Sequence, residues 1–232
     1  MMAPSALLGG LLLLALPIAL AAAAGPTISP KRGLVFVPDP KYPSDSHIWT
    51  REPSSLTWYY NYGPIPSPAY EKISQSDFEF VPMLWGAPSD PTDTSFLRQI
   101  QQLVEVKKVN ITNVLSFNEP DGPTKWGGSD ISPETAAKVW VSNIAPLRNM
   151  GIRVGLPACT GAPGGLKWLK DFLESCSKIV SGGGAEKNCT YDFVTVHWYG
   201  PFEALASHMG QYSATYVCFV FHPPGPVMFW LC

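Results

Sequence analysis

The sequence predicts an α/β protein of the TIM (β/α)8-barrel type that stops after about six βα units. Three observations carry this expectation. Six short apolar runs alternate with four helical patterns, and strands that alternate with helices fold as a parallel sheet. The runs show little polar alternation, as strands buried on both faces do. Polar and aromatic residues gather at the carboxyl ends of three runs, as Trp85-Gly86, Asn118-Glu119-Pro120 and His197-Trp198-Tyr199. A barrel collects its working residues at those ends. A doubly wound sheet competes, but it usually carries a Gly-rich phosphate loop after an early strand, and none is present. Closure takes eight strands, and the sequence offers about six.

In chain order, residues 7–24 are almost entirely Leu and Ala, broken by Gly9-Gly10 and Pro17 and closing on Ala21-Ala22-Ala23-Ala24 before Gly25. An apolar stretch followed by a small-residue cleavage region reads as a secretory signal peptide over residues 1–24. A membrane anchor is the competing reading, since the run approaches spanning length. Residues 25–216 then form one domain of ordinary size. Strands are expected at 33–37, 57–60, 78–85, 113–118, 153–157 and 193–198. Helices are expected at 93–108, 133–150, 165–180 and 202–212. Ser132-Pro133 supplies an N-cap with proline at the first helical position, and Asn149-Met150-Gly151 ends that helix. Residues 217–232 contain no Asp, Glu, Lys or Arg, three prolines and two cysteines. They fit neither a barrel strand nor a capped helix. Foreign sequence such as a translated intron accounts for them, because Val217-Cys218 is encodable by the splice-donor-like GTATGT; a natural hydrophobic C-terminus is the alternative.

The net charge is −2, with 15% charged residues and no basic run. Nucleic acid requires a concentrated cationic footprint and is excluded as a partner. Aromatic residues reach 12%, with 8 Trp, which suits core packing and also stacking on sugar faces. Of the five cysteines (159, 176, 189, 218, 232), Cys176 and Cys189 bracket a Gly-rich loop. In a secreted chain they are the expected disulfide, which leaves Cys159 as a buried thiol. No Cys-x-x-Cys or His-x-x-x-His spacing points to structural zinc. Asn110-Ile111-Thr112 and Asn188-Cys189-Thr190 are glycosylation acceptors.

Glu119 is the strongest candidate functional residue. It follows a buried strand in Ser116-Phe117-Asn118-Glu119-Pro120-Asp121, so its side chain is expected to project into the barrel mouth. Glycoside hydrolysis needs one carboxylic acid to protonate the departing oxygen and a second carboxylate opposite it. Asn118 is placed to hydrogen-bond a sugar hydroxyl beside the reacting carbon. Pro120 is expected to hold Glu119 in an extended backbone. A surface turn with a solvated Glu is the competing reading.

Leu115-Ser116-Phe117-Asn118-Glu119-Pro120-Asp121 and Val194-Thr195-Val196-His197-Trp198-Tyr199-Gly200 resemble the fungal Asl1-type glycosyl hydrolase catalytic domain, glycoside hydrolase family 128. Lys31-Arg32-Gly33-Leu34 and Val81-Pro82-Met83-Leu84-Trp85-Gly86 are similar to its first and third strands. The likeness covers residues 31–216. It implies a retaining β-1,3-glucan hydrolase of the fungal cell wall or extracellular space, with no membrane association once the signal is cleaved. It also implies Glu119 as general acid/base and Asn118, Trp85, His197, Trp198 and Tyr199 as substrate-binding residues. His197 is further expected to hold a nearby carboxylate in place. Two carboxylates perform the chemistry, so no metal or organic cofactor is implied. The family's nucleophile, a Glu ending the seventh strand, has no counterpart after Tyr216. The chain as written is therefore expected to be inactive and poorly stable. A non-catalytic, aromatic-lined β-glucan-binding or wall-associated protein is the alternative.

Overall fold

The computed structural model describes residues 32–216 and the backbone of residues 230–231. The signal segment and nearly all of the 217–232 tail lie outside the described residues. Six strands occur where apolar runs predict them: β1 (Gly33–Val35), β2 (Trp58–Tyr60), β3 (Glu79–Phe80), β4 (Asn113–Val114), β5 (Arg153–Val154) and β6 (Thr195–Val196). All pairings are parallel, and each strand lies beside the next in sequence. The ladders β1–β2–β3 and β4–β5 are regular. Single bridges, Met83 to Leu115 and Gly155 to Phe193, join β3 to β4 and β5 to β6. Pro82 lacks an N–H, so the third seam is sparse; its carbonyl still accepts the Leu115 N–H at 2.9 Å.

Both faces of this succession are apolar, which explains the lack of polar alternation. Tyr59, Phe80, Val114 and Val194 join the large cluster beneath the helices. Their neighbours Tyr60, Val81, Leu115 and Phe193 form a second cluster with Met83 on the other face. Such double burial is what a barrel wall requires. The pairings show an α/β fold built of small parallel sheets; among the described residues, β6 does not return to β1. One short strand, β7 (Trp230–Leu231), pairs in parallel with β6 through Thr195 and Val196. This departs from the expectation that the tail forms no strand. Parallel addition to β6 lets this aromatic–aliphatic stretch pair its backbone, as strand formers do.

Four helices cover the outer face: α1 (Ser95–Gln101), α2 (Pro133–Asn143), α3 (Gly164–Ser181) and α4 (Phe202–Tyr216). Ser132 caps α2, its side chain accepting the Thr135 N–H at 3.2 Å. The pattern over 133–150 divides into α2 and a 3-10 turn, Ala145–Met150. Pro146 lacks a donor and disfavours α geometry at Ala145, so the α-helix stops there. The pattern over 93–108 likewise divides, α1 passing into a π turn at Gln102–Val106. α3 buries Trp168, Leu169, Phe172 and Cys176 along one face, and Phe172 meets Trp140 of α2 edge-on at 5.4 Å.

Cys176, in the last turns of α3, is bonded to Cys189 across the Gly-rich loop. The closed loop has a sequence separation of 13, and a cross-link of that size stabilises by about 3 kcal/mol through the unfolded chain. Cys159 is a buried free thiol. Replacing Cys176 and Cys189 together by Ala is expected to lower stability by about 3 kcal/mol, read as the denaturant midpoint at constant m-value. An unchanged midpoint would show that the loop is already ordered without the bond.

Candidate active site

The site is built where β4, β5 and β6 end side by side. Beyond β4 the chain stays extended, and Asn118 donates its N–H to the Trp85 carbonyl at 2.9 Å and bridges to Ala158. At Glu119 the backbone turns into the left-handed region, φ 43°. This overturns the expectation of an extended Glu119. Pro120 disfavours right-handed helix at the preceding residue, but hydrogen bonds on both sides select the turn. The Glu119 N–H reaches the Ala158 carbonyl at 2.7 Å, and its own carbonyl accepts from Gly122 and Ser129 at 2.9 and 3.2 Å. A non-glycine residue there costs about 1–2 kcal/mol, and such conformers persist where the surroundings over-determine them.

The turn aims the Glu119 carboxyl at His197, which directly follows β6. His197 Nδ1 lies 2.9 Å from Glu119 Oε1, with the imidazole buried and the Glu119 side chain 13% exposed. Below His197 the wall is filled by Tyr60, Met83, Leu115, Ala158 and Thr195, leaving a cavity of about 10 Å³, scarcely room for one water. Asn118 is buried and donates its side-chain amide to the Gly127 carbonyl at 3.1 Å. That bond ties it to the loop leaving the site. The neck of this loop is tight: a Cβ at Gly128 would lie 2.2 Å from the Gly122 carbonyl oxygen, so only glycine fits.

The aromatic residues divide by what they touch. Trp85 borders a groove of about 260 Å³ together with Gly86, Pro88, Phe96 and Ser129. Tyr199 is 81% exposed at the β6 end. Trp198 is instead engaged with the protein: its Nε1 donates to the Pro201 carbonyl at 3.2 Å, and its ring lies 5.1 Å from His208 of α4. His208 is followed by Tyr212 at 4.8 Å and Tyr216 at a further 5.8 Å, so Trp198 begins an aromatic row that seats α4. Two further exposed aromatics were not singled out from the sequence: Phe202, three residues after Tyr199, and Trp126, 76% exposed in the 3-10 turn Thr124–Trp126. Lys125 Nζ lies 5.2 Å from the Trp126 ring centre. The signal that would have found them was aromatic residues in turns beside the two motifs. Asn110 and Asn188 are both exposed. Among the described residues, no group of three or more His, Cys, Asp or Glu could hold a metal, and no helix is long and apolar enough to cross a membrane.

Residues 33–221 match the family described as glycosyl hydrolase catalytic core. The chain belongs to this family. The Asl1-type resemblance carried by the Asn118-Glu119-Pro120 and His197-Trp198-Tyr199 motifs is shown with it. The chain is 31% identical over 178 residues to alkali-sensitive linkage protein 1 of Schizosaccharomyces pombe, covering 75% of this chain and 27% of that protein. It thus spans about a quarter of that relative's length. Among solved structures, a family 128 subgroup I endo-β-1,3-glucanase from Amycolatopsis mediterranei, bound to laminaritriose and laminaribiose, is similar at 25% identity and TM-score 0.52. The likeness covers 88% of this chain and 70% of that one. A subgroup VII oligosaccharide-binding protein from Trichoderma gamsii is similar at 23% identity and TM-score 0.52, covering 84% and 67%.

Burial lowers the pKa of His208 from its ordinary value. The folded state therefore favours the neutral imidazole. Its contribution is fully present above the unfolded value of about 6.5. As pH falls through that value the unfolded chain takes up a proton that the fold resists, and stability declines until the lowered folded value is passed. Relative to the parent, His208→Gln is expected to lose less stability between pH 7 and 5, by up to about 1.4 kcal/mol per pH unit. Equal slopes in pH-dependent thermal denaturation would show that His208 takes up its proton equally in both states.

Proposed function

We propose that Glu119 is the general acid/base of a retaining β-1,3-glucan hydrolase site, with β-glucan as the polysaccharide bound. The observation that carries this reading is the Glu119 carboxyl in a left-handed turn at a strand's carboxyl end, 2.9 Å from a buried histidine. In a double displacement Glu119 protonates the leaving oxygen and then takes a proton from the attacking water. His197 fixes the carboxyl's direction by hydrogen bonding to one oxygen, leaving the other to meet the glycosidic oxygen. Asn118 presents its remaining side-chain acceptor toward sugar, and Trp85 and Tyr199 offer ring faces for it. The likeness to the laminarioligosaccharide-bound glucanase supports this substrate class.

In this reading the six βα units are part of a (β/α)8 barrel, and the leader delivers the protein to the cell exterior or wall. The nucleophile is the second requirement, at about 5 Å from the acid. Asp121 does not supply it, because both its oxygens accept from Thr160, at 2.8 and 2.6 Å. Glu203 does not supply it either, since it stands exposed in the first turn of α4. Among the described residues, then, neither Asp121 nor Glu203 offers the opposing carboxylate, and this reading has the site binding glucan without cleaving it. The second reading, a glucan-binding protein by function, is favoured by the likeness to the oligosaccharide-binding fold.

Reducing-end release from laminarin, with affinity electrophoresis on the same glucan, tests these assignments. The expected result is retardation by laminarin and no turnover. If turnover occurs, Glu119→Gln is expected to reduce it by about 10²–10⁴-fold. Turnover that survives this variant would overturn the acid/base role, and absence of glucan binding would overturn the substrate.

A further inference from the structure

We propose that Asp121 is a positioning residue, clamping the end of β4 to the end of β5 through Thr160 and so fixing the Glu119 carboxyl against His197. Asp121 lies two residues beyond Glu119, on the far side of the left-handed turn. Its Oδ1 accepts the Thr160 backbone N–H at 2.8 Å and its Oδ2 accepts the Thr160 hydroxyl at 2.6 Å. Thr160 lies two residues beyond Ala158, whose carbonyl accepts the Glu119 N–H at 2.7 Å. The turn is therefore fastened to the same stretch of chain before and after Glu119. The bonds from Gly122 and Ser129 to the Glu119 carbonyl hold the turn itself, but they leave its exit free to shift against the chain beyond β5. The two-point carboxylate grip removes that freedom, because both oxygens of a planar group are engaged by one residue.

The surroundings are shaped for this carboxylate. Gly165, in the first turn of α3, approaches so closely that a Cβ there would lie 3.3 Å from Asp121 Oδ2 and 2.9 Å from the Thr160 carbonyl oxygen. The adjacent Cys159 is buried, and its thiol is pushed up, first by burial and then by the Asp121 charge. That keeps it a neutral thiol beside the carboxylate. The grip and the glycine contact meet at Asp121, two residues beyond Glu119.

This inference rests on Glu119 being the working carboxyl, but its readout needs no turnover. The imidazole resonances of His197, followed by NMR in the full chain, report the 2.9 Å contact with Glu119. Glu119→Gln defines the resonance positions when the carboxylate is lost. Asp121→Asn and the nearly isosteric Thr160→Val are each expected to move the His197 resonances toward those positions. Thr160→Ser, which keeps the hydroxyl, is expected to restore the parent spectrum. Exposed His47 is expected to stay unchanged throughout, which separates a local displacement from unfolding. His197 resonances that match the parent in folded Thr160→Val would overturn the proposal. So would His197 and His47 moving together. Failure to bind laminarin would overturn the glucan assignment and leave the clamp standing.

Discussion

The site depends on the hydrogen bond from the Glu119 N–H to the Ala158 carbonyl, 2.7 Å long. It is the last rung between the chains leaving β4 and β5, and it falls on the residue whose backbone departs from extended geometry. A strand that continued straight would put the next side chain on the opposite face. By turning left-handed at this rung, the chain sends Glu119 toward β6, where His197 waits. The cost of that conformation is about 1–2 kcal/mol, and the bonds from Gly122 and Ser129 to the Glu119 carbonyl help offset it. Position, strain and chemistry therefore meet at one peptide unit.

The six strands and four helices were legible because two periodic signals agree. Tyr59/Tyr60, Phe80/Val81 and Val114/Leu115 send neighbouring apolar side chains to opposite clusters. Unbroken hydrophobicity is the trace that double burial leaves in a sequence. Ser132-Pro133 and the Cys176–Cys189 pair were legible because caps and short-range cross-links are local devices. Barrel closure was not legible as a fact about these residues, since it depends on strands pairing across the whole molecule.

The candidate site was readable as a set of residue types and poorly readable as a geometry. Trp198 illustrates the gap. Its place at a strand end suits a sugar platform, yet its ring is turned into the row of His208, Tyr212 and Tyr216. That row includes polar atoms, His208 Nε2 and Tyr212 OH, that are buried with no protein partner among the described residues. Nothing in the order His-Trp-Tyr distinguishes an indole facing outward from one facing a helix. The Asp121–Thr160 grip escaped the sequence for the same reason, because its partners are 39 residues apart.

Orienting the acid and completing the chemistry are separate requirements. The groups that orient Glu119 come from the ends of β3, β4, β5 and β6: Trp85 through Asn118, the turn itself, Ala158 and His197. None requires a later strand. A carboxyl can therefore be held in one direction by these units alone, while retaining chemistry still demands a second carboxylate. Sugar binding has a weaker requirement, namely ring faces and polar groups on a preformed rim. Tyr199, Phe202 and Trp126 already stand exposed in the described part. The same fold can thus serve cleavage or recognition according to whether the opposing carboxylate is present, and fold likeness alone does not choose between them.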